Sequence, residues 1–209
     1  LLLQERVPSY VPVTGPRPVE VTLVTPTALA LAPRRFRTPH TLHPHAAMLS
    51  NGRYVAPVTH AGGGASLCRG RAVTRWRDDP VTDPGSSYLY LRDVRSGDVW
   101  SATHQPTCHA SDDYRAVFLV DKATISQRSN DIDSVLEVAV SSEDDVEVRR
   151  LSLTNRSDRV REIEITSYVE VALASPAEDL AHPAFGKLFL ETECRPDHAS
   201  LLCGRRRRA

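Results

Sequence analysis

The clearest hydrophobic pattern lies between residues 162 and 173. Ile163, Ile165, Val169, Val171 and Leu173 share one parity, and Glu162, Glu164, Thr166, Tyr168 and Glu170 occupy the other. Alternation with period two marks a strand with one face buried and one wet. Residues 145–155 read as its partner, but the apolar phase slips from Val146 and Val148 to Leu151 and Leu153 across Arg149-Arg150. Such a slip predicts a β-bulge. Asn155-Arg156-Ser157-Asp158 makes the turn between the two. Upstream, Ser50-Asn51-Gly52 is a hairpin signal between residues 45–49 and 53–59, because Asn-Gly accepts positive φ at little cost. Residues 71–77 and 88–94 flank a loop with Pro80, Asp83, Pro84 and Gly85, and Ser96-Gly97 turns into 98–102. Residues 114–120, 123–128, 135–141, 185–193 and 200–203 complete the strands, with almost no helical periodicity.

Many strands joined by short polar turns predict an all-β fold, a large antiparallel β-sandwich. Residues 38–209 form that domain. Residues 1–37, punctuated by Pro8, Pro12, Pro16, Pro18, Pro26 and Pro33, read as a linker or extended segment. The Arg205–Arg208 run stops abruptly after a strand and there is no initiator Met, so an excised piece, incomplete at its C-terminal end, is expected.

Composition narrows the function. The 209 residues carry 26 basic and 26 acidic side chains. That balance argues against a nucleic-acid partner, which demands basic excess. No apolar run approaches the ~20 residues of a membrane helix, and the start lacks the basic n-region of a signal peptide. Cys68, Cys108, Cys194 and Cys203 are widely spaced, which predicts free thiols.

Thr74-Arg75-Trp76-Arg77-Asp78-Asp79 is the strongest candidate for binding chemistry. An indole face suits the C–H patches of a sugar, while Arg75, Arg77, Asp78 and Asp79 offer forked donors and carboxylate acceptors to hydroxyls. On an alternating strand Trp76 points opposite to Arg75 and Arg77, so one set faces the core or an interface. Trp100 is a second candidate ring. Gly62-Gly63-Gly64 does not match a phosphate loop; it reads either as a positive-φ turn or as backbone crowded near a sugar or phosphate. His40, His43 and His45 lie close together but lack a nearby fourth ligand, so no metal is expected. Asp112-Asp113 and Glu143-Asp144-Asp145 read as solvated turns. No nucleophile–base pair stands out, and no catalytic residue is assigned.

Several ordered stretches carry a resemblance. They are Thr38-Pro39-His40-Thr41-Leu42-His43-Pro44-His45, Leu49-Ser50-Asn51-Gly52-Arg53-Tyr54, Thr59-His60-Ala61-Gly62-Gly63-Gly64 and Ala72-Val73-Thr74-Arg75-Trp76-Arg77-Asp78-Asp79. Tyr90-Leu91-Arg92-Asp93, Trp100-Ser101-Ala102-Thr103-His104-Gln105-Pro106-Thr107, Leu153-Thr154-Asn155-Arg156-Ser157-Asp158-Arg159 and Ala181-His182-Pro183-Ala184-Phe185 continue them. Together they resemble the N-terminal β-sandwich of glycoside hydrolase family 94, the cellobiose-phosphorylase type, and most of all the phosphorylase-like region of bacterial cyclic β-1,2-glucan synthases. The resemblance implies a supersandwich of galactose mutarotase-like form. It implies a parent enzyme that makes or cleaves β-glucosidic bonds with inversion, with inorganic phosphate as co-substrate and no other cofactor. The general-acid aspartate would lie in a following (α/α)6 barrel of the same polypeptide, so this domain would be inactive alone. Implied partners are that barrel, a β-glucan or oligosaccharide, and a second copy in a homodimer. The implied location is the cytoplasmic side of a larger inner-membrane protein, with the fragment itself soluble. Family members often carry aromatic residues after the glycine triplet, where this chain has Ala65-Ser66-Leu67-Cys68-Arg69. A free-standing carbohydrate-binding module and a purely structural interface domain remain the alternatives.

Overall fold

The computed structural model describes residues 32–75, 87–181 and 183–206. In chain order the strands are β1 (Arg34–Phe36), β2 (Ala46–Ser50), β3 (Tyr54–Thr59), β4 (Leu67–Cys68), β5 (Arg71–Thr74), β6 (Ser87–Asp93), β7 (Val99–Ser101) and β8 (Asp113–Phe118). They continue with β9 (Lys122–Ser129), β10 (Ile132–Val140), β11 (Glu147–Asn155), β12 (Ile163–Val169) and β13 (Val171–Ala174). Two short helices follow, α1 (Pro176–Ala181) and α2 (Pro183–Lys187), then β14 (Leu190–Arg195) and β15 (Ser200–Arg205). β1-β8-β9-β10-β11 form one five-stranded sheet and β13-β5-β4-β3-β2 a second. β12-β6-β7 form a three-stranded sheet, and β14 pairs with β15. All pairings are antiparallel.

Alternation along β10 explains the layering. Ile132, Ser134, Leu136 and Val138 are buried in turn, so they share one face of the first sheet. Leu136 and Val138 pack against Leu49, Tyr54, Ala56 and Val58 of the second sheet. Ile132, with Leu151 and Leu153 of β11, packs against Leu91, Trp100 and Ala102 at the three-stranded sheet. The second sheet and the three-stranded sheet therefore cover the same inward face. The opposite face is a lattice of ions. Glu137 receives Lys122 at 2.8 Å and Arg150, while Asp133 receives Arg128 and Arg156, each at 2.6 Å.

Where the two covering layers meet, β7 ends over the first sheet and its carbonyls need donors. Gln127 Nε2 donates to Ser101 O at 2.7 Å, and Ser134 Oγ to Ala102 O at 2.9 Å. That requirement explains polar residues among the inward positions of β9 and β10.

Several sequence expectations hold. β2 and β3 form the Asn51-Gly52 hairpin, with Gly52 at φ +89° and Asn51 Oδ1 accepting from the Arg53 and Tyr54 amides. Others change. β11 pairs with β10 without a register break, so no bulge occurs at Arg149-Arg150. The apolar phase slips because a polar pair faces inward instead. Arg149 Nε binds Glu147 Oε1 at 2.6 Å, and Glu147 also accepts from Ser66 Oγ at 2.5 Å. β12 pairs with β6 rather than with β11. The long alternating segment breaks at Glu170, and past the break Ala172 and Ala174 are the buried residues, with Leu173 at φ +48°. β1 places residues 34–36 at the edge of the first sheet, within the stretch read as a linker or extended segment.

Helix α1 occupies a stretch to which the sequence pattern assigns no element, and α2 takes the start of the strand expected over 185–193. Ser175 Oγ accepts from Glu178 N at 3.2 Å while Glu178 Oε2 accepts from Ser175 N at 3.1 Å. This reciprocal capping box, with proline at the first helical position, starts α1.

Candidate functional site

Strand directions gather several loops at one end of the sandwich. β3 and β5 both run antiparallel to β4, so Thr59 and Thr74 finish at the same end of the second sheet. The glycine triplet follows the first, and the Trp76 segment follows the second. Arg75 N donates to Glu170 O at 2.8 Å, and Ser87 pairs with Val169. Both described flanks of residues 76–86 are thus anchored at the Val169–Glu170 step. Residues 102–107, after β7, reach the same end and touch the glycine triplet.

Arg75 lies at the centre of a charge cluster. Its side chain is 1% exposed. Nε donates to Asp179 Oδ2 at 2.7 Å, a second guanidinium nitrogen pairs with Asp179 Oδ1, and NH1 donates to Glu170 Oε1 at 2.5 Å. Lys187 Nζ approaches Glu170 at 3.1 Å. The Asp179 carboxylate, set against burial, holds the guanidinium cationic more firmly than usual. Burial alone would raise the Glu170 carboxyl; hydrogen bonds from Lys187 and Arg75 instead keep it below the ordinary range. The cluster ties the exit of β5 to α1, α2 and the start of β13. Arg75 therefore acts as an internal pin, and its forked donors are turned to Asp179 and Glu170.

Of the other expected sugar contacts, Trp76, Arg77, Asp78 and Asp79 lie outside the described residues. Trp100 is 0% exposed, in the core with Leu91, Ala102 and Ile132. This corrects its reading as a binding platform, since a ring with no accessible face cannot stack on a sugar. His40, His43 and His45 do not converge. His45 stacks on Phe36 at 4.7 Å, His40 meets His104 at 4.8 Å, and among the described residues no group of three His, Cys, Asp or Glu side chains forms a metal site.

The glycine triplet is crowded by this chain itself. Gly62 sits at φ +101°, where an added Cβ would run into the Thr103 side chain; at Gly64 it would strike the Pro57 carbonyl. Gln105 N donates to Ala61 O at 2.9 Å and Thr59 N to Gly63 O at 2.7 Å, fixing the loop. Gly64→Ala should lower stability by about 1–3 kcal/mol, since rigid backbone must move. Chemical denaturation checks this, and an unchanged midpoint would show that the loop yields freely.

Sequence reasoning did not foresee the partners of Arg75 or the meeting of His40 with His104 and of His45 with His60. The Ser175-x-x-Glu178 spacing was a usable signal for α1 and thereby for Asp179.

The family description "Glycosyl hydrolase 94, supersandwich domain" matches residues 31–209. The chain belongs to this family. Among curated proteins, it is 38% identical over 195 residues to the cyclic beta-(1,2)-glucan synthase NdvB of Rhizobium meliloti, covering 92% of this chain and 7% of that protein. It is 30% identical over 129 residues to the solabiose phosphorylase of Paenibacillus borealis, covering 59% of this chain and 17% of that protein. It is 27% identical over 153 residues to the N,N'-diacetylchitobiose phosphorylase of Vibrio proteolyticus, covering 71% and 19% respectively. The supersandwich thus corresponds to a small part of each relative's length. No helix among the described residues is long and apolar enough to cross a membrane.

Proposed function

We propose that this supersandwich is a non-catalytic domain of a larger glucan phosphorylase or cyclic β-1,2-glucan synthase-like protein, seated on a helical catalytic domain of the same polypeptide. In this reading its loop-bearing end forms one wall of the cleft where a β-glucan meets inorganic phosphate. The parent stands on the cytoplasmic side of the inner membrane, and the sandwich also serves dimer contacts. The Trp76–Asp79 stretch remains the candidate for sugar contact.

The overhang of β12 carries the docking part of the proposal. The face that buries Leu91 continues onto β12, because Ile165 is the register partner of Leu91. Yet Ile165 is 53% exposed and Val169 46% exposed. The facing sheet ends at β11, so among the described residues this apolar strip is left without a facing strand. Such a strip supports the docking reading.

Ile165→Glu separates docking from folding. In the 209-residue chain it should change stability by no more than about 1 kcal/mol, as expected at a half-exposed position. In the full-length protein it should cut phosphorolytic or glucan-forming activity severalfold. Full activity of that variant would remove the docking role. The unmodified chain alone should release no glucose 1-phosphate from β-glucans, and measurable release would overturn the non-catalytic assignment. Calorimetric heat with β-1,2-gluco-oligosaccharides would favour a free-standing binding module.

A further inference from the structure

After β1 the chain leaves the edge of the first sheet, and residues 37–45 cross to β2 at the edge of the second. Five histidines sit on this crossover or beneath it, His40, His43 and His45 on it and His60 and His104 beneath. Phe36 of β1 stacks on His45 at 4.7 Å and lies 5.3 Å from His60. His45 and His60 are 5.6 Å apart, His40 and His104 4.8 Å, and His104 and Tyr114 6.5 Å. Tyr114 hydrogen-bonds the His60 carbonyl through its hydroxyl. His60 is 3% exposed.

The hydrogen bonds select one form of the His60 ring. Thr41 Oγ1 gives its proton to His43 O at 2.6 Å, so its oxygen accepts from His60 Nε2 at 3.0 Å. Nδ1 then presents its lone pair to the His45 amide at 3.3 Å. This is the neutral Nε2–H tautomer, assigned from the network. A proton on Nδ1 would oppose the His45 amide. The His45 carbonyl, 3.2 Å from Nδ1, already accepts from the His60 amide at 2.8 Å, so it compensates only in part.

Among the described residues the surroundings offer no counter-ion. The crossover brings His40, His43 and His45, β8 brings Tyr114, and the loop after β7 brings His104. β1 brings Arg34, which lies over Phe118 and donates to Ala46 O at 2.8 Å. Among the described residues no carboxylate forms an ion pair with any of these histidines. Burial first, and neighbouring histidines after it, keep His60 and His104 below the usual imidazole range.

We propose that the cluster of His40, His45, His60 and His104 is a pH-responsive latch that holds the 37–45 crossover against the loop-bearing end of the sandwich. Neutral rings close the latch, and protonation opens it. The depressed groups contribute their stabilisation in full above the unfolded imidazole value near 6.5, and it is lost as pH falls toward and through their lower folded values. Below 6.5, His60 and His104 therefore favour the open form increasingly as pH falls.

Hydrogen exchange of the 209-residue chain, corrected for intrinsic rates, tests this. Between about pH 7.5 and about pH 5.5 the protected amides of residues 37–45 should lose protection severalfold relative to β9 and β10. His60→Gln combined with His104→Gln keeps a donor toward Thr41 but removes both charges, and its exchange should be flat with pH. Equal protection of the natural chain at both pH values would overturn the latch, as would an unchanged pH response in the double variant. If that variant fails to fold, imidazole titration by NMR decides: His60 and His104 must titrate below 6.5, and titration at or above that value refutes the proposal.

Discussion

Replacing Trp100 by alanine should destabilise the chain by about 3–5 kcal/mol, the usual cost of removing a fully buried large aromatic. Domains are stable by only about 5–15 kcal/mol, so the loss is a large part of the whole. The indole fills the joint between the three-stranded sheet and Ile132 of β10, and neither layer can settle into the space. Trp100→Phe should be far milder, within about 1–2 kcal/mol. Phenylalanine leaves a smaller void and removes the indole N–H, which has no partner among the described residues and so carries a desolvation cost. Denaturant melts of the two variants check the order. A stable Trp100→Ala chain that had lost only glucan affinity would reverse the core assignment and restore the platform reading.

Arg75→Ala should cost about 3 kcal/mol by leaving the Asp179 and Glu170 carboxylates without their shared cation. Both carboxylates are mostly buried, with side-chain exposures of 14% and 16%. The effect has a pH signature. Glu170 is held below its ordinary range in the folded chain, so its pairing stabilises fully above the unfolded value near 4.3 and fades as pH falls through the folded one. The gap between Arg75→Ala and the unmodified chain should therefore shrink on acidification below about pH 4. A gap that stayed constant with pH would mean that Arg75 acts through packing of its stem. Asp179→Asn should cost less, because it spares the cation its Glu170 partner.

Much of the architecture was written in local signals. Asn51-Gly52 and Ser96-Gly97 mark turns because those residues accept their conformations, and both turns form where expected. Alternation failed where an inward position is polar. Glu147 and Arg149 neutralise each other at the seam between sheets, so the apolar phase alone suggested a bulge that the unbroken β10–β11 ladder does not contain. The 162–173 segment misled for a different reason. Glu170 is pinned by Arg75, and the strand changes sheets there, a tertiary event that leaves no local periodicity. The Trp76 motif was prominent in sequence, yet its described charged member, Arg75, is an internal pin. The histidines at 40, 45, 60 and 104 meet only because of the crossover between sheets, which spacing along the chain does not encode.

The ion lattice on the outward face of the first sheet limits how the supersandwich can be built into a longer polypeptide. Laying apolar protein over Glu137, Asp133 and their Lys122, Arg150, Arg128 and Arg156 partners would dehydrate every one of those charges without offering new counter-charges. On the proposed reading that flank stays the domain's waterside, and a companion domain would approach from the β12 side or the loop end.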